Sequence, residues 1–138
     1  FQETSKKDFI VNYDQNSNPL NITKSIEIVY GLRNFIGNAN KFSENKIFIN
    51  IKSDSDFTEV MIEDDGEGYP KDVLSKIGEP YIKSFKSSIK SKSGLGLGIF
   101  IGKTLLEKNY ANILCRNSQT RSGAEVSIKW KNEDLLKL

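Results

Sequence analysis

Between residues 42 and 47 the apolar spacing of this chain changes period, and that change constrains the fold more than any other feature. Ile28, Leu32, Phe35, Ile36, Ala39 and Phe42 recur at steps of three and four, which predicts an amphipathic helix over Lys24–Phe42. Ile47, Ile49 and Ile51 then alternate with polar neighbours, and Phe57–Glu63 follows across an SDSD turn. Strand side chains alternate between faces, so this pair reads as a β-hairpin. A helix with one apolar stripe and a sheet with one apolar face bury both by packing together. Around that unit the sequence predicts a strand over Lys7–Asp14, a short helix over Lys71–Ile77 and a mobile loop over 78–93. It also predicts a helix over Ile99–Asn109 and strands over Asn112–Asn117 and Ala124–Trp130, joined by a turn through Gly123. The expected fold is α+β: a two-layer α/β sandwich of helices on one face of a mixed, mostly antiparallel sheet. One domain spanning 1–138 is expected.

Composition removes several chemistries. The chain has no histidine and one cysteine, Cys115, so a disulfide within it is impossible and imidazole-based triads and common zinc sites lose their support. Cys115 alternates with Ile113 in a strand-like run and reads as a buried structural thiol. A net charge of +2 gives no clustered basic face for nucleic acid. No run of 18 apolar residues occurs, so no membrane span or membrane contact is expected of this segment. The opening FQETSKKDF lacks the apolar core of a signal peptide and reads as a cut through a larger protein.

Three places carry candidate chemistry. On the predicted first helix, Asn34, Asn38 and Lys41 fall at i, i+4 and i+7 on the face opposite the apolar stripe. Asparagine is a poor helix former, and its amide oxygen suits a hard cation such as Mg²⁺. A plain solvated face is the bland alternative. In DDGEGYP (Asp64–Pro70), Asp64 shares strand parity with Val60 and Ile62 and so points to the buried side, where a carboxylate needs partners. Gly66 and Gly68 leave room for a flat ligand against the turn, although an ordinary acidic hairpin exit would look the same. In GLGLGI, Gly94, Gly96 and Gly98 open a helix, where backbone N–H groups can approach an anion. No GK[ST] follows and no strand immediately precedes, so a P-loop is excluded. The preceding lysines, Lys83, Lys86, Lys90 and Lys92, suit either a solvated charge run or a lid over a triphosphate.

These segments, in this order, resemble the ATP-binding domain of sensor histidine kinases, within the family shared with gyrase, Hsp90 and MutL (the Bergerat-type fold). GLRNFIGNANKFS (Gly31–Ser43) looks like the asparagine box, DDGEGYP like the first glycine box and GLGLGIFIGK like the second. GEPY (Gly78–Tyr81) stands at the phenylalanine-type box, and SGAEV (Ser122–Val126) resembles the G-threonine-type box. The details GEPY, GLGLGIFIGKTLLEK and GAEVSIKW resemble the redox-responding RegB/PrrB/ActS branch.

The resemblance implies ATP and Mg²⁺ as ligands. Asn38 would ligate Mg²⁺ with Asn34 beside it, Lys41 would reach a phosphate oxygen, and Phe42 would pack against the base. Asp64 would accept from adenine N6. Gly94, Leu95, Gly96, Leu97 and Gly98 would form the hinge of the lid, with Tyr81 in place of the family's usual phenylalanine. Asn34 stands where ATPase relatives carry a glutamate that activates water, and an amide cannot take a proton, so slow hydrolysis is expected. The implied acceptor is a histidine on a separate dimerisation domain of the same protein, with a response regulator downstream, in the cytoplasmic part of a bacterial inner-membrane sensor. The alternatives are a serine-directed kinase of the same fold and a nucleotide-binding regulatory module without transfer activity.

Overall fold

A computed structural model describes residues 7–13, 25–71, 74 and 95–137. In chain order these form β1 (Asp8–Tyr13), α1 (Ile26–Phe42), β2 (Lys46–Ser53) and β3 (Phe57–Asp64). Then follow α2 (Leu95–Lys108), β4 (Asn112–Asn117), β5 (Ala124–Lys131) and the short α3 (Asn132–Leu135). The strands build one sheet in the order β1-β2-β3-β5-β4. β1 runs parallel to β2 and every other pairing is antiparallel, which is the mixed α+β arrangement expected.

The strand registers place the apolar positions on one face. Ile47 lies opposite Asp64, Ile49 opposite Ile62 and Ile51 opposite Val60. Ile62 in turn pairs with Val126, and Val60 with Ile128. The stripe of α1 packs over this face, so that Phe35, Ile47, Ile62, Ile99, Leu106 and Ile128 are completely buried. The other face is polar. Glu63 accepts from Ser118 Oγ at 2.9 Å and pairs with Arg121 at 3.7 Å, whose guanidinium lies 3.6 Å from the centre of the Phe48 ring.

Both ends of α1 are capped. Ser25 Oγ accepts from Ile28 N–H, which moves the start two residues past the expected Lys24. At the other end Lys7 Nζ donates to the carbonyls of Asn40 and Ser43, a cation at the negative end of the helix dipole. Asp65 accepts from Glu44, Asn45 and Lys46 N–H, tying the α1–β2 connection to the end of β3.

Two elements differ from expectation. α2 begins at Leu95, four residues before the expected Ile99, and takes Gly96 and Gly98 into the helix. Glycine disfavours a helix by about 1 kcal/mol, but α1 and α2 run so close together that their seam requires small residues. A Cβ on Gly98 would stand 2.8 Å from Asn38 Oδ1, one on Gly102 2.9 Å from Phe35 Cε2, and one on Gly31 2.6 Å from Leu106 Cγ. The short α3 was not anticipated; Asn132 pins it to the β2–β3 turn, its Nδ2 donating to Asp54 O and its Oδ1 accepting from Thr58 Oγ1, both at 2.7 Å. Of the expected helix over Lys71–Ile77 only Lys71 and Leu74 are described, and Leu74 N–H donates to Pro70 O at 3.1 Å, the bond of a first helical turn. The loop over 78–93, with Tyr81 and its lysines, lies outside the described residues, as does Gly94.

Candidate functional site

A pocket opens where α1 meets the ends of β3 and β5. Phe35, Asn38, Ala39 and Phe42 line it from α1, Ile62 and Asp64 from β3, Gly68 and Tyr69 from the following turn, and Val126 from β5. Its free space is about 20 Å³, room for one water.

Asp64 is the polar centre of this pocket. As strand parity predicts, it points inward, and only 3% of its surface is exposed. Its Oδ1 accepts from Gly66 N–H at 2.9 Å and from Ala124 N–H at 3.3 Å. Among the described residues both hydrogen bonds fall on Oδ1, leaving Oδ2 for a ligand. Burial pushes the carboxyl above its usual range, against the pull of those two N–H groups. The result is an acceptor poised inside an apolar wall, suited to a ligand N–H.

Asn38 lines the same pocket as Asp64. Its Nδ2 is buried and has no hydrogen-bond partner among the described residues. An orphaned buried amide is costly and is characteristic of a group awaiting a ligand. The face it shares with Asn34 is turned toward α2 rather than to solvent opposite the apolar stripe. The Asn34 Cβ packs near Gly102, and its Nδ2 donates to Tyr30 O at 2.8 Å on its own helix.

Asn38 and Phe42 therefore line the pocket, whereas Asn34 and Lys41 do not; Lys41 is exposed, its Nζ 5.2 Å from the centre of the Phe42 ring. Four residues along a helix share a face but differ by about 6 Å in height, which separates Asn34 from Asn38. The α2 N-terminus, with Leu95, Gly96, Leu97 and Gly98, reaches the site through the contact of Gly98 with Asn38. The first four N–H groups of a helix have no partner within it.

Three further residues belong to the site, two of them inside segments the sequence marks, DDGEGYP and SGAEV, but not distinguishable there as individual site residues. Tyr69 is buried and lines the pocket, its hydroxyl beside the Cys115 thiol. Asn117 holds the Tyr69 backbone, its Oδ1 accepting from Tyr69 N–H at 2.6 Å and its Nδ2 donating to Tyr69 O at 3.2 Å. Gly123 lies against Asp64. The tyrosine within DDGEGYP was a usable signal for the first; an asparagine at a strand end reads only as a turn former.

The family described as histidine kinase-, DNA gyrase B- and HSP90-like ATPase matches residues 23–134. The chain belongs to this family. Sensor histidine kinase RegB of Cereibacter sphaeroides is 34% identical over 131 residues, covering 83% of this chain and 28% of that protein. A putative NtrY-like sensor histidine kinase of Rickettsia felis is 32% identical over 93 residues, covering 67% of this chain and 14% of that protein. The chain thus spans under a third of the length of these curated relatives, which are longer sensor kinases of bacteria. Among solved structures, the catalytic domain of histidine kinase ThkA in a nucleotide-free form superposes with a TM-score of 0.70 at 21% identity, covering 92% of this chain and 81% of that one. The mycobacterial sensor histidine kinase MprB gives 0.68 at 21%, covering 94% and 85%. At that identity the likeness speaks for the fold alone. The expected histidine kinase ATPase fold and the sequence likeness to RegB are both borne out.

Proposed function

We propose that this domain binds Mg-ATP and donates the γ-phosphoryl group to a histidine on a separate dimerisation domain of the same protein, in two-component signalling. The observation that carries the reading is that one pocket is lined by buried Asp64 and by Asn38, whose Nδ2 has no partner among the described residues, in a member of this ATPase family. Asp64 Oδ2 accepts from the adenine amino group, while Phe42 and Tyr69 flank the base.

The residues present fit Mg²⁺. Among the described residues no three Asp, Glu, Cys or His side chains cluster, so an all-protein cage is not formed there, but Mg²⁺ keeps most of its waters and shares phosphate oxygens. Asn38 would hold it through the amide oxygen. The ion supplies neutralisation of phosphate charge. The N–H groups of Leu95–Gly98 and the ammonium of Lys41 add positive potential on the phosphate side. Asn34 cannot serve as a base toward water, which favours transfer over hydrolysis. The chain contains no histidine, so the acceptor is supplied by another segment or protein, and a response regulator takes the phosphoryl group from there.

No helix of the described residues is long and apolar enough to cross a membrane. We assign the domain to the cytoplasmic part of a bacterial inner-membrane sensor and read residues 1–138 as one unit.

The deciding experiment titrates ATP, ADP and a non-hydrolysable ATP analogue with and without Mg²⁺, then adds a dimerisation domain carrying the acceptor histidine. Binding of the nucleotides with Mg²⁺, weakened for ATP and its analogue when the ion is withheld, and acid-labile phosphorylation only after the addition are expected. Binding without any transfer would instead favour a regulatory nucleotide module. Phosphorylation of a partner lacking histidine would favour a serine-directed kinase.

A further inference from the structure

The turn that forms the pocket floor is held at both ends by the β4–β5 hairpin. At its start, Ala124 N–H donates to Asp64 Oδ1 at 3.3 Å. At its end, the side chain of Asn117 takes both backbone groups of Tyr69, N–H at 2.6 Å and C=O at 3.2 Å. Asn117 and Ala124 are register partners across the hairpin, so one pair of residues grips both ends of the turn. The amide of Asn117 offers Tyr69 what a neighbouring strand would offer, one donor and one acceptor.

Asn117 is itself exposed, so core packing does not account for it. Between the two grips lies Gly68 at φ +83°, a backbone state that favours glycine. A Cβ there would stand 2.7 Å from Asn117 Oδ1, so the Asn117 amide occupies the space a side chain at position 68 would need. Both Gly68 and Tyr69 line the pocket.

We propose that Asn117 is a positioning residue for nucleotide binding, holding Gly68 and Tyr69 at the distance from Asp64 that a base requires. This role rests on the nucleotide-binding reading of the pocket.

The test compares wild type with Asn117→Ala and Asn117→Asp by calorimetric titration of the non-hydrolysable ATP analogue, alongside amide hydrogen exchange at Tyr69 and thermal unfolding. The two bonds hold the turn in its binding geometry, so Asn117→Ala makes that geometry a minor state and about a tenfold loss of affinity is expected. Asn117→Asp keeps an acceptor for Tyr69 N–H but faces its carbonyl with a second oxygen, so an intermediate loss is expected. Faster exchange at Tyr69 should accompany both, with the unfolding midpoint lowered by no more than about 5 °C. Unchanged affinity despite faster exchange or a lower midpoint would overturn the role and leave Asn117 a structural clamp. A wild-type chain that binds no nucleotide would overturn the pocket reading itself, and this role with it.

Discussion

Gly123 lies so close to Asp64 that a methyl group on it would overlap both the Asp64 carbonyl oxygen and Oδ1. The glycine lets the β5 backbone reach the carboxylate, so the next residue, Ala124, can donate its N–H there. A buried acceptor is thereby held in place while one of its oxygens stays available to the pocket.

Replacing Asp64 by Asn separates its binding role from its effect on stability. An amide keeps an acceptor for Gly66 and Ala124 but removes the charge, and losing a charged hydrogen bond to the base should weaken adenine nucleotides about ten- to a hundredfold. An equal loss for GTP would count against base reading. For stability the sign follows from burial, which raises the folded carboxyl above its unfolded value. The folded state then binds the proton more tightly, so stability falls as pH rises from about 4 through the raised value. Asp64→Asn should melt higher than wild type at pH 7, and the gap should close on acidification.

Asn38 should show the opposite of a structural residue. Its Nδ2 is buried without a partner among the described residues, so Asn38→Ala removes a polar group that contributes little to the fold and should change stability by less than about 1 kcal/mol. Mg²⁺-dependent ATP binding should nevertheless disappear. Calorimetry with and without the ion checks this, and unchanged Mg²⁺ dependence would remove the metal assignment.

The helix seam predicts that a helix-favouring substitution destabilises. Gly31→Ala gains about 1 kcal/mol in propensity, yet its methyl would meet Leu106 Cγ at 2.6 Å, and Leu106 is fully buried. Overpacking costs about 1–3 kcal/mol. Urea unfolding should therefore show a net loss; a gain would mean that α1 and α2 can slide apart freely.

Cys115 should be inert. Burial pushes its thiol up to about 12, against the hydrogen bond from Tyr69. At pH 8 roughly one thiol in ten thousand is then ionised, and the thiolate is the reactive form. Labelling should run at least about a hundredfold slower than for free cysteine. Rapid modification in the folded chain would make this thiol a reactive site after all.

Element types were legible because they rest on local period. The stripe from Ile28 to Phe42 and the alternation from Ile47 to Ile51 place α1 and β2 within two residues of their observed ends. Parity alone turned Asp64 inward. The α2 start differs from the sequence expectation for a physical reason: glycine's low intrinsic propensity is outweighed where close helix packing leaves no room for a Cβ.

What the sequence determined by itself is therefore the set of elements, the inward carboxylate at Asp64 and the order of motifs that names the family. Each depends on neighbours a few residues away. Tertiary structure alone decided that Asn38, not Asn34, lines the pocket, that Gly98 and Gly102 serve a helix seam, and that Asn117 and Ala124 grip the turn of Asp64. Those contacts join residues far apart in the chain, such as Asn117 with Tyr69, 48 positions away. Spacing within one segment carries no information about which distant segment will be pressed against it; strand order and helix packing supply that.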